Sequence, residues 1–369
     1  MAAPIVACSA YPLGYGPAAK LIVLARALRA RGWEPVFLGS GVARELALRS
    51  DAFAQVIAVE RDETEARRWL RAANVLLSVM DRSIAGLARD CGRPYCVVDS
   101  LLWMRDQVPD VFLSAERYWV QDFPGVRDRL AEIRPTPVVV GPIVPAMHPV
   151  RAGSGAGLVV NLGGMESPHG AAEGATRYAD FVVDGLLRSR LPARVAGRTI
   201  VLGGHRIVEH LRRRHGTALA FDSLPHEESV FRLARAEVAL TAPGLTATLE
   251  CFQLAVPTFF LPPQNYSQWW SLQHLRAHEL APGSFHWQDR LPESPIVARM
   301  PEATRGPLLR AAMDRVMADE SASRAYIDYL DAVPAADRAA LAARQRAFFE
   351  SLGSDGAETI AGELTELFG

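Results

Sequence analysis

Short apolar runs alternate with longer amphipathic stretches along the whole sequence. In the first half, such runs fall at residues 4–9, 34–38, 56–59, 75–79, 95–98, 117–120 and 138–140. Runs that are apolar at successive positions predict strands buried on both faces, as in parallel sheets covered by helices. The alternation with helical stretches therefore predicts an α/β protein built from βαβ connections.

The same pattern restarts after a segment rich in proline and glycine. In this second part, strands are predicted at residues 157–161, 199–203, 218–221, 237–240 and 256–261. We therefore predict a first domain at 1–141, a linker at 142–155, a second domain at 156–335 and terminal helices at 336–369. Both domains should be Rossmann-like, because each opens with a strand that is followed by a glycine-rich turn.

Residues 237–268 have the most informative order of elements. A strand ends at a Pro-Gly turn, a helix follows at residues 246–254, and a second strand ends at two prolines. Such a turn points backbone N–H groups at the helix N-terminus, where an anion such as a diphosphate binds. Glu250 follows further into the helix, where its carboxylate can bind the two hydroxyls of a ribose. Three amides follow the second strand, at the carboxyl edge where open α/β sheets bind ligands: Gln264, Asn265 and Gln268.

An ordinary αβ unit that binds nothing can have the same turn, and a Pro-Gly turn alone is weak evidence. The whole segment, however, resembles the donor-binding signature of UDP-sugar glycosyltransferases of the GT-B fold. Their pattern is Gly-x-x-Thr-x-x-Glu, then Gly-(Val/Leu)-Pro, then Pro-x-x-x-Asp-Gln, and its matches here are Gly244, Glu250, Val256, Pro257 and Gln268. Three positions depart from the pattern, and the last leaves the donor sugar open: Ala247 replaces Thr, Ala255 replaces Gly and Ser267 replaces Asp.

This resemblance implies two Rossmann-like domains that face a central cleft, with a UDP-sugar held by the second domain. It also implies that the terminal helices pack back on the first domain. The UDP-sugar is a donor substrate, and the resemblance implies neither a metal nor a cofactor. The donor-binding residues that it implies are Gly14, Gly16, Gly163, Gly164, His226, Pro243, Gly244, Leu245, Thr246, Glu250, Gln264, Asn265 and Gln268.

The first glycine-rich loop resembles the loop of the same family in which Gly-x-Gly-His precedes a long helix. In that family the histidine is often the catalytic base, but here Pro17 takes its place. Asp99 and Asp81, which follow predicted strands, are therefore our candidates for the base. Lys20 is the only lysine in the sequence and is a candidate partner for a donor carboxylate or phosphate. A surface lysine on an amphipathic helix would give the same pattern.

An acceptor pocket is expected where polar and aromatic residues follow the strands of the first domain. Tyr15, Trp103 and Arg105 are the candidates for binding the acceptor. A plain alternative exists for two of them, because Trp103 fits a core position and Arg105 fits a solvated surface charge.

A narrower resemblance is carried by residues 14–20 and 98–103. These segments are similar to cytosylglucuronate synthases of nucleoside-antibiotic biosynthesis, which join glucuronate from UDP-glucuronate to cytosine. In this interpretation Lys20 binds the uronate carboxylate, an aspartate takes the N1 proton of cytosine, and aromatic residues stack on the base. A macrolide- or lipid-type acceptor would leave similar marks in the sequence.

Two further classes of function stay open. The same fold hosts UDP-sugar epimerases and hydrolases, which act on the donor without an acceptor. A non-catalytic protein that only binds a UDP-sugar is the second class, and the missing first-loop histidine favours it slightly. Binding residues alone do not separate these classes, because all of them need the donor site.

The composition of the chain limits the classes of molecule that it is expected to bind. The 369 residues have a net charge of −1, which argues against a nucleic-acid binder that depends on bulk positive charge. The cysteines have no zinc-type spacing, and the N-terminus lacks the basic and apolar regions of a signal peptide. No apolar run is long enough to span a bilayer. We expect a cytoplasmic protein with small-molecule partners, and a homodimer is left open.

Overall fold

The computed structural model describes residues 3–59, 63–147, 157–163 and 172–369. The chain forms two compact units. Unit 1 comprises Met1–Pro145 and Ser351–Gly369, and unit 2 comprises Ala146–Glu350. Each unit contains one parallel sheet with helices, so the predicted α/β class with two Rossmann-like domains is confirmed.

The sheet of unit 1 has seven parallel strands, which are β1 (Ile5–Ala10), β2 (Glu34–Gly39), β3 (Gln55–Ala58), β4 (Val75–Val79), β5 (Tyr95–Asp99), β6 (Arg117–Gln121) and β7 (Val138–Val140). Their order is β3-β2-β1-β4-β5-β6-β7. Every residue of β4 and β5 is buried, as expected for strands covered on both faces. The strand order reverses between β1 and β4, which is where open α/β sheets place their ligand sites.

The strands of unit 1 are connected by helices, which are α1 (Tyr15–Arg29), α2 (Gly41–Leu48), α3 (Thr64–Ala72), α4 (Arg82–Asp90), α5 (Asp110–Leu113) and α6 (Val126–Arg129). Short 3-10 helices cover Leu102–Met104 and Leu130–Glu132. α1 ends at Arg29, and the chain turns away at Gly32, whose φ of 85° is one that an L side chain rarely adopts.

The sheet of unit 2 has five parallel strands, which are β8 (Leu158–Asn161), β9 (Ile200–Leu202), β10 (Ala220–Asp222), β11 (Val238–Thr241) and β12 (Thr258–Phe260). Their order is β10-β9-β8-β11-β12, so this sheet reverses between β8 and β11. The Pro-Gly turn that the sequence analysis singled out directly follows β11. It therefore lies at the switch point of the sheet.

The helices of unit 2 are α7 (Ala172–Arg188), α8 (Leu191–Arg194), α9 (His205–His215), α10 (His226–Ala234), α11 (Leu245–Gln253), α12 (Tyr266–Ala277), α13 (Glu302–Met317), α14 (Glu320–Ala332) and α15 (Arg338–Ser351). Short 3-10 helices cover Trp287–Arg290 and Val333–Ala335. An apolar cluster holds α10 and α11 against the sheet, and its buried members include Val159, Val230, Leu233, Cys251 and Val256.

The last helix, α16 (Gly356–Phe368), packs on α1 within unit 1. The indole N–H of Trp33 donates to the Thr365 hydroxyl (3.0 Å), and that of Trp119 donates to the Glu363 carboxylate (3.1 Å). Ile360 and Leu364 are fully buried. These contacts complete unit 1 with a segment that follows all of unit 2 in sequence.

The prediction that residues 336–369 together pack on the first domain is wrong for α15, nearly all of which belongs to unit 2. The physical reason is the exposed edge of β12, which has no strand neighbour on one side. The side-chain amide of Gln345 covers this edge by accepting from the Thr258 N–H (3.0 Å) and donating to the Thr258 carbonyl (2.7 Å). The boundary between units falls at Pro145, and predicted linker residues 148–155 lie outside the described residues.

Candidate functional site

The loop after β8 is the first of three loops, or walls, that meet at the carboxyl edge of the sheet of unit 2. The carboxamide oxygen of Asn161 accepts a hydrogen bond from the Gly163 N–H (3.0 Å). Gly163 adopts a φ of 70°, and a Cβ at this position would meet no atom of the described residues within 4 Å. The backbone here is therefore open to close approach by a ligand. Gly164, which the sequence also assigned to the donor site, lies outside the described residues.

The turn after β11 forms the second wall. The Gly244 N–H donates a hydrogen bond to the Ala242 carbonyl (2.7 Å). α11 begins at the next residue and has no side-chain cap. Pro243, Leu245 and Thr246, which the sequence placed at this site, are buried around the turn. The first turn of an uncapped helix presents N–H groups and a partial positive charge, which suit a diphosphate.

Gly244 has no internal reason to be glycine. Its φ is −78°, and among the described residues a Cβ would contact only the Gln268 amide nitrogen, at an ordinary 3.7 Å. The space beside it is therefore available to a ligand that approaches the backbone. The same distance shows that Gly244 and Gln268, 24 positions apart in sequence, lie side by side.

The loop after β12 forms the third wall and is tied to the first. The Gln264 side chain donates to the Leu162 carbonyl (2.6 Å), and its backbone N–H donates to the Gln268 side-chain oxygen (2.9 Å). Asn265 caps α12 by accepting from the Gln268 N–H (3.0 Å). Gln264 and Asn265 thus organise the loop through their own hydrogen bonds. The Gln268 amide N–H₂ has no partner among the described residues and is left to a ligand.

Buried aromatic donors anchor this third loop from below. The Tyr178 hydroxyl donates to the Pro262 carbonyl (2.6 Å), and the Trp287 indole N–H donates to the Pro263 carbonyl (2.6 Å). Burial raises the pKa of Tyr178, so its hydroxyl stays protonated and remains a donor. Because proline carbonyls just before Gln264 are held in this way, the position of the donor loop is set by the core.

His226 and Glu250 meet near the same edge of the sheet. His226 is the first residue of α10, Glu250 lies in α11, and His226 Nε2 is 2.6 Å from Glu250 Oε1. Their side chains are 11% and 5% exposed. Among the described residues, Glu250 Oε2 has no hydrogen-bond partner, and this oxygen keeps some solvent-accessible surface. One carboxylate oxygen is therefore held by the protein and the other is open to a ligand.

Asp81 is a buried carboxyl group of unit 1 that also caps a helix. One residue, Met80, separates it from β4, and the φ of 59° at Met80 is rare for a residue with a side chain. Asp81 Oδ1 caps α4 by accepting from the N–H groups of Ser83 (3.1 Å) and Ile84 (3.2 Å). Burial raises the pKa of Asp81 to about 6, and these two hydrogen bonds only partly oppose it.

Asp99, the other candidate base, is occupied by protein donors. It is fully buried and accepts from the Leu101 N–H (2.8 Å), the Tyr118 hydroxyl (3.0 Å) and the Arg105 guanidinium, which binds both carboxylate oxygens. A general base needs a lone pair that faces the substrate. These hydrogen bonds make Asp99 an anchor for Arg105.

The remaining candidates of unit 1 lie at or near α1 and the 3-10 helix. Gly14 precedes α1 with a φ of 79°, while Tyr15 and Gly16 form its first turn and are half-buried. Lys20 is only 2% exposed, so it is not a surface lysine. Trp103 is a core residue, since it is 5% exposed, packs on Phe123 and donates to the Ser100 carbonyl (3.2 Å). The predicted acceptor contact of Trp103 is thus not favoured by its placement.

Sequence reasoning named many of these residues but missed their partners. It did not pair His226 with Glu250, Gln264 with Leu162, or Asp99 with Tyr118, because each pair joins separate elements. Tyr178 and Trp287 carried no signal for their role, since buried aromatic residues in helices are ordinary core positions.

The described residues contain no group of three or more His, Cys, Asp or Glu side chains placed to hold a metal ion. Among the helices that the structure describes, none combines the length and the apolar character that crossing a membrane requires.

Comparison with known proteins gives matches at the level of structure. No protein-family model matches the sequence, and no curated protein matches it. UGT2 of Phytolacca americana, solved with UDP-2fluoro-glucose and pterostilbene, is 13% identical with a TM-score of 0.55, covering 99% of this chain and 100% of that chain. UGT71G1 of Medicago truncatula, solved with UDP-glucose, is 11% identical with a TM-score of 0.52, covering 99% of this chain and 98% of that chain.

CalG4, the calicheamicin glycosyltransferase, is 14% identical with a TM-score of 0.51, covering 99% of this chain and 98% of that chain. At these identities the likeness concerns the fold. The chain has the GT-B fold, which the resemblance of residues 237–268 implied.

Proposed function

We propose that this protein is a glycosyltransferase that moves a sugar from a UDP-sugar to a small-molecule acceptor. One observation carries the proposal. Three loops of unit 2 meet at the switch point of its sheet and leave a glycine backbone, the Gln268 amide and one oxygen of Glu250 open to a ligand. Diphosphate, sugar and ribose need these three kinds of partner, and solved structures with the same fold contain UDP or UDP-glucose.

In this proposal the donor is held without a metal. The N-terminus of α11 binds the diphosphate and stabilises the charge that develops on it as the glycosidic bond breaks. Glu250 Oε2 accepts from the ribose hydroxyls, and the Gln268 amide donates to the sugar. Such positioning lowers the barrier by presenting the anomeric carbon to the acceptor in line with the leaving diphosphate. Chelation of divalent ions should therefore leave the rate of UDP release unchanged.

Asp81 is the proposed base, and the transfer inverts the anomeric centre. The carboxylate takes the acceptor proton as the acceptor oxygen or nitrogen attacks the anomeric carbon. Its pKa near 6 suits this task, because the group is ionised at neutral pH and still a stronger base than an ordinary aspartate.

We propose that the donor is UDP-glucuronate and that the acceptor is cytosine. In this choice Lys20, which is buried in α1, binds the uronate carboxylate of the donor. The resemblance of residues 14–20 and 98–103 to cytosylglucuronate synthases supports it independently. The alternative is that the acceptor is another natural product or a lipid.

The test is UDP release from a panel of UDP-sugars, each with and without cytosine. Release that requires both UDP-glucuronate and cytosine is the expected result. Release without any acceptor would instead indicate a hydrolase or epimerase, and tight binding without release would indicate a binding protein. If no UDP-sugar binds, the donor site proposed here is wrong.

A further inference from the structure

The contact between His226 and Glu250 is unusual because neither side chain is satisfied by it alone. Glu250 Oε2 has no hydrogen-bond partner among the described residues, and His226 Nδ1 is inaccessible to solvent and also lacks one. A buried pair that served only to join α10 and α11 would be expected to have its polar atoms satisfied. The apolar cluster that includes Val230, Leu233 and Cys251 already joins these helices.

The direction of this hydrogen bond follows from the chemistry of an ionised carboxylate. Such a group only accepts, so His226 Nε2 donates to Glu250 Oε1 across the 2.6 Å contact. The imidazole thereby immobilises Oε1 and sets the orientation of the whole carboxylate, including Oε2. A glutamate has three rotatable side-chain bonds, so without this contact its open oxygen would lose a defined direction.

We propose that His226 is a positioning residue that aims Glu250 Oε2 at the ribose hydroxyls of the donor, and so makes the site selective for ribonucleotides. This inference rests on the proposed function, since it assumes that a UDP-sugar binds at this edge. His226 acts through Glu250 and does not touch the reacting atoms. Its contribution should therefore depend on whether the nucleotide has its 2′-hydroxyl.

The experiment compares UDP with 2′-deoxy-UDP by calorimetric titration of the full-length protein. The wild type is expected to bind UDP at least ~10-fold more tightly, because a hydrogen bond to a carboxylate is lost with the deoxy ligand. His226→Leu should bind UDP ~10-fold more weakly yet bind 2′-deoxy-UDP about as the wild type does. Its preference for the ribonucleotide should thus disappear.

Two conservative variants separate positioning from packing. His226→Gln places an amide N–H near the position of Nε2 and should restore the preference. His226→Asn carries its amide one bond closer to the backbone, cannot reach Glu250, and should behave like His226→Leu. Glu250→Gln tests the other partner directly and should lose the preference with His226 intact.

The chain offers a matched control in His205 and Glu209, an exposed pair on α9 with a 3.2 Å contact. His205→Leu should change neither affinity. If His226→Leu and His226→Asn weaken UDP and 2′-deoxy-UDP by the same factor, His226 has only a structural role and the inference is wrong. If the wild type binds neither nucleotide, the proposed function fails first, so the two failures are distinguishable.

Discussion

At the scale of single residues, the two carboxyl oxygens of Asp81 differ in their surroundings. Oδ1 caps α4, whereas Oδ2 has no hydrogen-bond partner among the described residues. Met80, with its positive φ, sets the turn from β4 into this cap. Unusual backbone geometry beside a buried carboxyl group with a raised pKa is typical of a functional position.

The first prediction concerns the activity of Asp81→Asn. Because asparagine cannot accept the acceptor proton, kcat should fall ~100-fold or more. In the wild type, kcat/KM should decline as the pH falls below about 6, since protonation removes the base. The measurement is the pH profile of UDP release. Asp90→Asn, at the exposed end of the same helix, is the control and should keep the wild-type rate and profile.

The second prediction concerns the stability of the same variant. The pKa of Asp81 is higher in the folded protein, at about 6, than its ordinary value of 3.8, so folding takes up a proton between these values. The free energy of unfolding should therefore fall as the pH rises through this window, by roughly 2–3 kcal/mol from this group. Asp81→Asn lacks the ionisation, and its asparagine can still cap α4.

Urea unfolding at about pH 4 and about pH 7 measures this effect. Relative to the wild type, Asp81→Asn should gain stability at the higher pH and gain little at the lower one. An equal change at both values would show that the ionisation of Asp81 is not linked to folding.

At the scale of elements, the three donor loops are held by contacts that cross between elements. The third loop depends on Tyr178 of α7, which donates to the Pro262 carbonyl. Another tyrosine of unit 2, Tyr326 of α14, is equally buried, but its hydroxyl has no hydrogen-bond partner among the described residues. The two residues thus offer a comparison in which one hydroxyl is used and the other is not.

The third prediction is that Tyr178→Phe lowers the free energy of unfolding by about 1–3 kcal/mol, because the Pro262 carbonyl is left buried and unpaired. It should also raise the KM for the UDP-sugar, since Gln264 and Gln268 follow this loop. Tyr326→Phe removes a hydroxyl that is unpaired, so it should leave stability unchanged or increase it. Thermal unfolding and donor titration of both variants provide the measurement, and equal losses would contradict the assigned hydrogen bond.

Sequence alone predicted the elements well and their contacts poorly. The order of strands and helices follows from local apolar runs and turn residues, which is why β4 and β7 were predicted with the observed limits. The pairing of His226 with Glu250 and the core placement of Trp103 depend on how separate elements pack. The misplacement of α15 has the same cause, because Gln345 finds its partner 87 positions away in sequence.

At the scale of the whole molecule, unit 1 depends on α16. This helix buries Ile360 and Leu364 and provides acceptors for the indole N–H groups of Trp33 and Trp119. Gly356 lies so close to Gly141 that a Cβ there would be 2.2 Å from the Gly141 carbonyl oxygen. The fit between the two segments therefore requires glycine at position 356.

The fourth prediction is that truncation after Glu350 destabilises unit 1 selectively. Removing α16 exposes apolar surface of α1 and deletes the hydrogen bonds of two indole N–H groups, at about 0.5–1.5 kcal/mol for each hydrogen bond. Unit 2 keeps its core and should still bind UDP. Limited proteolysis should cleave unit 1 first, and calorimetry should still detect UDP binding. Loss of UDP binding together with unit 1 would contradict the independence of the donor site.

The return of α16 to unit 1 also sets the order in which the chain can fold during synthesis. On a ribosome, domains usually fold in the order in which they emerge. Here residues 3–145 emerge first but lack the helix that completes their unit until residue 368 has been made. Unit 2 becomes complete at Glu350, when unit 1 still lacks α16. The nascent chain should thus finish its second unit before its first.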